Sequence, residues 1–143
     1  MIKVSETIII NRSKEIVFKT AADPKQQLIW DKKHFTKLEV LTPGPVAIGS
    51  KYKCVIPWMG TMWYEFAEYE PYTHFAHRSK MFLNHGYHRF EFISLPEGTQ
   101  FIQTMQVWPR GIGYLLYPFM KILLKKSLGS VSTGLKSFLE TTS

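Results

Sequence analysis

Five clusters of turn-forming residues punctuate the middle of the chain, 11 to 15 residues apart. Each contains proline, glycine or asparagine, the residues that tight turns favour. The segments between them are rich in aromatic and β-branched residues, which is typical of strands. The spacing therefore predicts six consecutive antiparallel strands. The clusters are Thr42-Pro43-Gly44-Pro45, Pro57-Trp58-Met59-Gly60, Pro71-Tyr72-Thr73, Asn84-His85-Gly86 and Pro96-Glu97-Gly98-Thr99.

One further strand and two short helices are predicted before this run. Residues 3–10 end in a β-branched stretch and are expected to form the first of seven strands. Ser13 is suited to cap the helix that follows. Asp23 and Pro24 end that helix, and Pro24 suits the first turn of a second helix over residues 24–32.

The last predicted element is a helix over residues 112–141, and its two halves differ. In the second half Leu128, Val131 and Leu135 recur at intervals of three and four, as one buried stripe should. The first half is apolar on nearly every side apart from Lys121. Its apolar stretch is far shorter than the roughly 20 residues that cross a bilayer. We therefore expect the first half to be buried on several sides, or to meet a ligand or a lipid surface.

The length and the cysteine content limit which classes of protein this chain can belong to. A chain of 143 residues should form one core, so residues 1–143 are predicted to be a single domain. Cys54 is the one cysteine and cannot form an internal disulfide, and the N-terminus lacks the pattern of a secretory signal. These features predict a protein of the reducing cytoplasm.

A net charge of +7 raises the question of an anionic partner. The basic residues are scattered, and no helix carries an interleaved arginine and aromatic face, so nucleic acid is not expected as a partner. Lys121, Lys125, Lys126 and Lys136 gather on the predicted last helix. A solubilising surface is the preferred interpretation, and peripheral contact with an anionic ligand or membrane is the alternative.

A series of short motifs follows one order along nearly the whole chain. Each is a turn or a helix end, so their combined order and spacing matter more than any one of them. They are Ile8-Ile9-Ile10 ahead of residues 13–18, Asp23-Pro24 to Trp30, Gly44-Pro45-Val46 to Gly49-Ser50, Glu68-Tyr69-Glu70-Pro71, Arg89-Phe90-Glu91-Phe92, Gly98-Thr99 and Pro109-Arg110-Gly111. Together they resemble the START-like helix-grip (SRPBCC) superfamily, in particular its polyketide cyclase/dehydrase branch.

The resemblance implies an α+β helix-grip fold. In that fold a strongly bent seven-stranded antiparallel sheet surrounds a long C-terminal helix, and two short helices after the first strand close one end of a cavity. Members bind lipids, sterols, polyketides, plant hormones or quinones there, and a minority catalyse cyclisation or dehydration. Because fold does not determine chemistry, the site residues must be argued separately.

Strand alternation indicates which side chains would line such a cavity. Phe90 and Phe92 share the face opposite Arg89 and Glu91, so the two phenylalanines are expected to point inward. On the next strand the more apolar set includes Gln103, which would either bond to a neighbouring side chain or orient a ligand. The predicted ligand-binding residues are Trp30, Cys54, Trp63, Phe75, His77, Phe90, Phe92, Phe101, Gln103, Met105, Tyr117 and Met120.

Two alternatives stay open for this set. On the fourth predicted strand Trp63 and Ala67 oppose Tyr64 and Phe66, and both pairs are apolar enough to face a core. For every aromatic residue in the set, ordinary core packing is the preferred interpretation and ligand contact the alternative; the many Tyr and Trp residues favour a pocket, because each needs a partner for its polar atom when buried.

The five histidines lack the spacing of a metal site. His85 and His88 are three residues apart on a predicted strand, which sends them to opposite faces, and His74 and His77 fail in the same way. No metal or cofactor is therefore predicted.

His77 is the candidate catalytic residue. If it faces the cavity beside Gln103, with a carboxylate such as Glu65, it could act as acid or base toward a bound carbonyl. Strand parity alone motivates this hypothesis.

Binding or transport of a hydrophobic small molecule, such as a lipid, polyketide or quinone, is the predicted function. One alternative is a small enzyme of the cyclase or dehydratase type. A second is a lipid or quinone chaperone that docks on membranes through residues 114–124 and the adjacent lysines. The protein is expected to be a monomer or a weak homodimer.

Overall fold

The computed structural model describes residues 1–141, which form one seven-stranded sheet and three α-helices, with a 3₁₀ helix before the last of them. The strands are β1 (Ile2–Ile10), β2 (Thr36–Val40), β3 (Lys51–Ile56), β4 (Gly60–Glu70), β5 (His74–Lys80), β6 (Asn84–Leu95) and β7 (Gly98–Pro109). The helices are α1 (Lys14–Ala22), α2 (Pro24–Trp30), the 3₁₀ helix (Gly111–Leu116) and α3 (Tyr117–Thr141).

The sheet is antiparallel throughout, with strand order β1-β7-β6-β5-β4-β3-β2. Each strand from β2 to β7 pairs with its neighbour in sequence, and β1 returns to pair with β7. This arrangement confirms the predicted α+β fold, with two short helices after the first strand and one long C-terminal helix. The main core lies on one face of the sheet, here called the inner face, which carries Tyr64, Phe66, Phe75, Phe90 and Phe101.

The strand registers place several connections at one end of the sheet. Ile56 pairs with Gly60 across the β3–β4 turn, and Lys80 pairs with His85 across the β5–β6 turn. Because the strands are antiparallel, both turns lie at the end where β7 leads into the 3₁₀ helix and α3. We call this the near end. The far end carries the β4–β5 and β6–β7 turns and the start of α1.

Capping explains where the two short helices begin. The Ser13 side chain accepts a hydrogen bond from the backbone N–H of Ile16 at 3.4 Å, as predicted for the start of α1. Asp23 caps α2 by accepting from the backbone N–H of Lys25 at 2.9 Å, and Pro24 occupies the first turn.

The turn predicted at Asn84-His85-Gly86 is wrong, because these residues belong to β6. Asn84 pairs with Pro109 of β7, and the turn lies immediately before it, where the N–H of Met81 donates to the carbonyl of Asn84 at 2.8 Å. Gly86 serves packing here instead of a turn. A Cβ at this position would lie 2.7 Å from the Ser79 side-chain oxygen.

The long helix predicted from residue 112 does not begin there as an α-helix. A 3₁₀ helix occupies Gly111–Leu116, and the α-helix starts at Tyr117. Gly113 lies against the β5–β6 turn, where a Cβ would approach the carbonyl oxygen of Leu83 to 2.3 Å. This contact holds the 3₁₀ helix to the sheet, and Pro118 is suited to the first turn of α3.

The two halves of α3 are buried to different degrees. Val131, Leu135 and Leu139 in the second half join the main core. In the first half Met120 packs with Leu128 in a second, smaller cluster that includes Ile2, Val4 and Val107 of the sheet. Most other apolar side chains of the first half are exposed. No helix within residues 1–141 is long and apolar enough to cross a membrane.

Candidate functional site

Aromatic rings form a continuous wall on the inner face. Phe75 of β5 stacks on Phe90 of β6 with ring centroids 4.4 Å apart, and Phe90 lies 6.0 Å from Phe101 of β7. Phe75 and Phe90 are register partners, so antiparallel pairing produces this stack directly. Phe66 of β4 extends the wall at 5.7 Å from Phe75. All four rings are buried and pack against one another, which makes this part of the inner face a solid wall.

Two polar atoms in this wall lack partners. The rings of Tyr64 and His77 are both buried, with centroids 4.7 Å apart. Within residues 1–141, the buried side-chain nitrogen and oxygen atoms without a hydrogen bond are Tyr64 Oη and His77 Nε2. Strand pairing brings them together, because Phe66 is the register partner of His77 and Tyr64 lies two residues before it. Since buried polar atoms are nearly always bonded, this pair marks the candidate site.

The neighbouring inner-face positions toward the near end are small. Ser79 is the register partner of Tyr64, Gly86 is the partner of Ser79, and Val107 follows on β7. Between Tyr64 and Val107 the sheet therefore presents little side-chain volume. This row is next to the row that holds His77 and His88, which are register partners.

His88 belongs to a second polar group, whose members bond to one another and to α3. The side-chain amide of Gln103 donates to the carbonyl of Leu128 at 3.0 Å and to the Ser132 hydroxyl at 2.7 Å. Its Oε1 then accepts from His88 Nε2 at 2.9 Å, which places the imidazole proton on Nε2. These bonds tie β6 and β7 to α3. Of the two roles considered for Gln103, bonding within the protein is the one observed.

Burial keeps the titratable groups of the site uncharged at neutral pH. Desolvation, with a smaller contribution from His88, lowers the pKa of His77 to about 3. Desolvation also lowers the pKa of His88 to about 4, against the opposing effect of its bond to Gln103. The pKa of Tyr64 is raised by burial, and that of the Cys54 thiol is raised to about 12. The site therefore offers neutral hydrogen-bonding groups and no charge.

Most of the predicted ligand-binding residues do face the interior. Cys54, Phe75, His77, Phe90, Phe92, Phe101 and Gln103 are buried on the inner face. Trp30, the last residue of α2, is buried, and its indole N–H donates to the carbonyl of Thr20 in α1 at 3.1 Å. Met105 is half-buried and Met120 is buried, and both belong to the smaller cluster. Ligand contact by any of these residues stays a prediction.

The structure does not support Trp63 and Tyr117 as ligand-binding residues, because both are exposed. Trp63 is 48% exposed and lies on the outer face, where the Lys53 ammonium is 5.7 Å from its ring centroid. Of the two faces of β4 left open by the sequence, the inner one carries Tyr64 and Phe66. Tyr117 is 42% exposed at the first residue of α3.

The proposed partners of His77 are also wrong. Glu65 lies on the outer face, where its carboxylate pairs with Arg78 at 3.4 Å, because Glu65 precedes the inward-facing Phe66. Gln103 is bonded to His88 and α3 instead of His77. His77 therefore has Tyr64 as its polar neighbour.

Sequence reasoning missed Tyr64 and His88 as site residues. A signal for His88 was present, because it alternates with Phe90 and Phe92 and so belongs on the inner face with them. Tyr64 required a choice between two apolar faces of β4, which strand alternation does not make.

A groove of about 440 Å³ lies between α2, the residues after it and α3, outside this interior. Its lining includes Asp31, whose carboxylate is bonded to His34 at 2.8 Å and to Gln27 at 3.0 Å. The carboxylate of this groove is thus satisfied within the protein, unlike the polar pair at Tyr64. Within residues 1–141 no group of three His, Cys, Asp or Glu side chains is arranged to hold a metal ion.

The family model described as polyketide cyclase / dehydrase and lipid transport matches residues 1–140. The chain belongs to this family. Its fold is shared by TTHA0849 from Thermus thermophilus, with 19% sequence identity, a TM-score of 0.78 and coverage of 99% of both chains. A START superfamily protein from Mycobacterium smegmatis is similar, with 16% identity, a TM-score of 0.78 and the same coverage.

A third similar structure is DynU16, described as a putative protein in the dynemicin biosynthetic locus. It is 15% identical with a TM-score of 0.75, and the match covers 97% of this polyketide cyclase/dehydrase-family chain and 47% of DynU16. At these identities the likenesses show the fold. No curated protein matches the chain.

Proposed function

We propose that this family member binds a hydrophobic small molecule between the inner face and α3, with Tyr64 Oη and His77 Nε2 bonding its polar group. The adjacent pair of buried, unbonded polar atoms is the observation that carries the proposal. Leaving such an atom unbonded costs about 1–3 kcal/mol. A ligand that bonds both atoms offsets this penalty, so it is favoured over a purely apolar one.

The chemistry of the pair favours an uncharged group on the ligand, such as a carbonyl or a hydroxyl. Tyr64 Oη can donate or accept, and the neutral imidazole of His77 offers a donor or an acceptor at Nε2. The pKa of His77 is about 3 and that of Tyr64 is raised, so neither side chain supplies a charge at pH 7. A charged ligand group buried here would lack a counter-charge, which is strongly unfavourable.

The small side chains next to Tyr64 and His77 indicate where the apolar part of the ligand would lie. Ser79 and Gly86 separate Tyr64 from Val107 on the inner face and project little side-chain volume. A hydrocarbon lying over them would have Tyr64 and His77 at one side. The row that holds Ser79 and Gly86 also points toward the near end, where the first half of α3 is only partly packed.

The family supports the same class of ligand. Its description joins polyketide chemistry with lipid transport, and both kinds of molecule are largely apolar with a few oxygen atoms. DynU16, a putative protein of the dynemicin biosynthetic locus by its description, shares the fold.

Acid–base catalysis by His77 is the less favoured function. A general acid or base works best when its pKa lies near the working pH, and burial lowers the pKa of His77 to about 3. Its expected carboxylate partner, Glu65, lies on the other face of the sheet. A His77→Ala variant that converts candidate substrates as fast as the wild type would exclude the enzymatic alternative for this residue.

A pair of matched probes tests the binding proposal. In NMR titrations, 2-nonanone is expected to bind about tenfold more tightly than nonane, because one recovered hydrogen bond is worth about 1.4 kcal/mol. Tyr64→Phe, which removes one of the two bonding groups and leaves His77, should reduce the preference. Tyr87→Phe is the control, since it removes a phenol hydroxyl that bonds to Glu68 on the outer face. Equal affinity of the wild type for ketone and alkane contradicts the proposal.

A further inference from the structure

Large apolar side chains project into solvent at the near end of the sheet. Phe82 in the β5–β6 turn is 82% exposed, and Trp58 in the β3–β4 turn is fully exposed. Leu115 of the 3₁₀ helix is 77% exposed, and Phe119 of α3 is 62% exposed. We call Trp58, Phe82, Ile112, Leu115, Phe119 and Ile122 the near-end surface. Exposed apolar clusters of this kind mark interaction sites.

These side chains belong to one end of the molecule because of the strand registers. The β3–β4 and β5–β6 turns lie at the same end, and the 3₁₀ helix is held to the β5–β6 turn by the bond from the Arg110 N–H to the Leu83 carbonyl at 2.7 Å. In α3, Met120, Leu124 and Leu128 face the sheet. Phe119 and Ile122 therefore point away from the protein.

The segments that carry the near-end surface hold charge of one sign. Residues 56–60, 80–86 and 109–126 contain no aspartate or glutamate, and they carry Lys80, Arg110, Lys121, Lys125 and Lys126. Lys125 is balanced by Glu6 at 3.1 Å, whereas Lys121 and Lys126 are exposed beside the apolar side chains. Glu70, Glu97 and Glu140 lie at the far end. Charge thus favours an anionic surface approaching the near end.

The geometry points to an anionic phospholipid membrane as the occupant: we propose that the near-end surface docks this protein onto such a membrane. The exposed apolar side chains would enter the acyl region of a bilayer, and the basic residues beside them would contact its anionic headgroups. A second copy of the chain fits poorly, because a two-fold contact would bring the lysines of both copies together without carboxylates from these segments. The proposal does not depend on the ligand site.

Vesicle sedimentation tests this surface. We expect the wild type to bind phosphatidylcholine vesicles that contain about 30% phosphatidylserine, and to bind pure phosphatidylcholine vesicles at least about tenfold more weakly. Raising the salt concentration should weaken binding to the mixed vesicles. No sedimentation, or equal sedimentation with both vesicles, overturns the proposal.

Matched variants separate the apolar and basic contributions. Leu115→Ser/Phe119→Ser is expected to reduce binding about tenfold or more, whereas Ile93→Ser, an exposed apolar residue on the outer face, should bind as the wild type does. Thermal unfolding of each variant checks that it is folded.

A second pair of variants tests the lysines against a control that changes the net charge by the same amount. Lys121→Glu/Lys126→Glu should reduce binding about tenfold or more, and Lys19→Glu/Lys25→Glu, with the same net charge, should reduce it far less. Equal losses for the two pairs would show an effect of net charge alone and overturn the assigned surface. A dimer in sedimentation equilibrium that Leu115→Ser dissociates would also overturn it, in favour of a second copy.

Discussion

The phenol ring of Tyr64 and the imidazole of His77 lie 4.7 Å apart, and each carries a buried polar atom that forms no hydrogen bond. The two residues come from adjacent strands and are surrounded by phenylalanine rings and Tyr52, which stacks on Tyr64 at 5.4 Å. An arrangement of this kind weakens the empty protein and strengthens a complex with a polar ligand group.

Tyr64→Phe should therefore raise the free energy of unfolding of the ligand-free protein by about 1 kcal/mol, because it removes a buried hydroxyl without a partner. Tyr87→Phe should lower it, since the Tyr87 hydroxyl bonds to Glu68. Urea denaturation, after any bound lipid has been removed, measures the unfolding free energy of both variants. A loss of stability in Tyr64→Phe equal to that in Tyr87→Phe would mean that the Tyr64 hydroxyl is bonded in the native protein.

Acid should destabilise the fold through the inner-face histidines. His77 and His88 have folded-state pKa values of about 3 and about 4, below the usual value, so unfolding takes up protons as the pH falls below about 6.5. The stability that the two neutral histidines contribute at pH 7 is therefore lost as the pH falls from about 6.5 toward their folded-state pKa values. Each contributes a slope of about 1.4 kcal/mol per pH unit around pH 5.

The variant His77→Phe tests this dependence on pH. It should reduce the slope of the unfolding free energy by about half in urea denaturation series between about pH 6 and pH 5, because one of the two protons is no longer taken up. A slope unchanged from the wild type would show that His77 is protonated in the native state.

Gln103 is expected to be among the most sensitive polar residues. Gln103→Leu leaves the His88 N–H and the Ser132 hydroxyl without the partners they have now, so it should lower the unfolding free energy by about 3 kcal/mol. Ser132→Ala removes one bond and should lower it by about 1 kcal/mol. Chemical denaturation of the two variants gives the comparison, and equal small losses would contradict the bonding described for Gln103.

Two glycines near and on α3 should respond in opposite directions. Gly113→Ala forces a Cβ against the Leu83 carbonyl oxygen and should lower the unfolding free energy by about 1–3 kcal/mol. Gly129→Ala meets nothing within 4 Å on α3 and should raise it by about 0.5–1 kcal/mol. Thermal unfolding distinguishes them. Stabilisation by Gly113→Ala would mean that the 3₁₀ helix does not pack on the β5–β6 turn.

The Cys54 thiol should be inert in the folded protein. It is fully buried, and desolvation raises its pKa to about 12, so the thiolate is scarce at pH 8. Labelling with a chromogenic disulfide reagent is expected to be slower than for a free thiol by about a thousandfold, and to become fast in urea. Rapid labelling of the native protein would place Cys54 at the surface.

Much of the fold could be predicted because local chemistry specifies it. Prolines and glycines at regular intervals define the hairpins, and Ser13 and Pro24 set the starts of two helices. The exceptions arise from contacts distant in sequence. From sequence alone, Gly86 suggests a turn, but in the structure it makes room for Ser79. Gly113 likewise suggests a weak point in a helix, but in the structure it packs against Leu83.

The site was less accessible to sequence reasoning for a similar reason. Alternation correctly directs Phe90, Phe101 and Gln103 inward, but it cannot choose between Trp63 and Tyr64 when both faces of β4 are apolar. The neighbour of His77 depends on the register of β4 against β5, and β4 contains an irregularity between Phe66 and Glu68. Pairing across strands, which no local pattern encodes, creates the unbonded pair.

A crystal structure of freshly purified protein, without detergent or added ligand, would show whether a ligand bonds to Tyr64 and His77. We predict elongated electron density from a non-protein molecule over Ser79 and Gly86, with one polar atom within hydrogen-bonding distance of both Tyr64 Oη and His77 Nε2. A closed interior in which a single ordered water bonds both atoms and no further density adjoins them would contradict it.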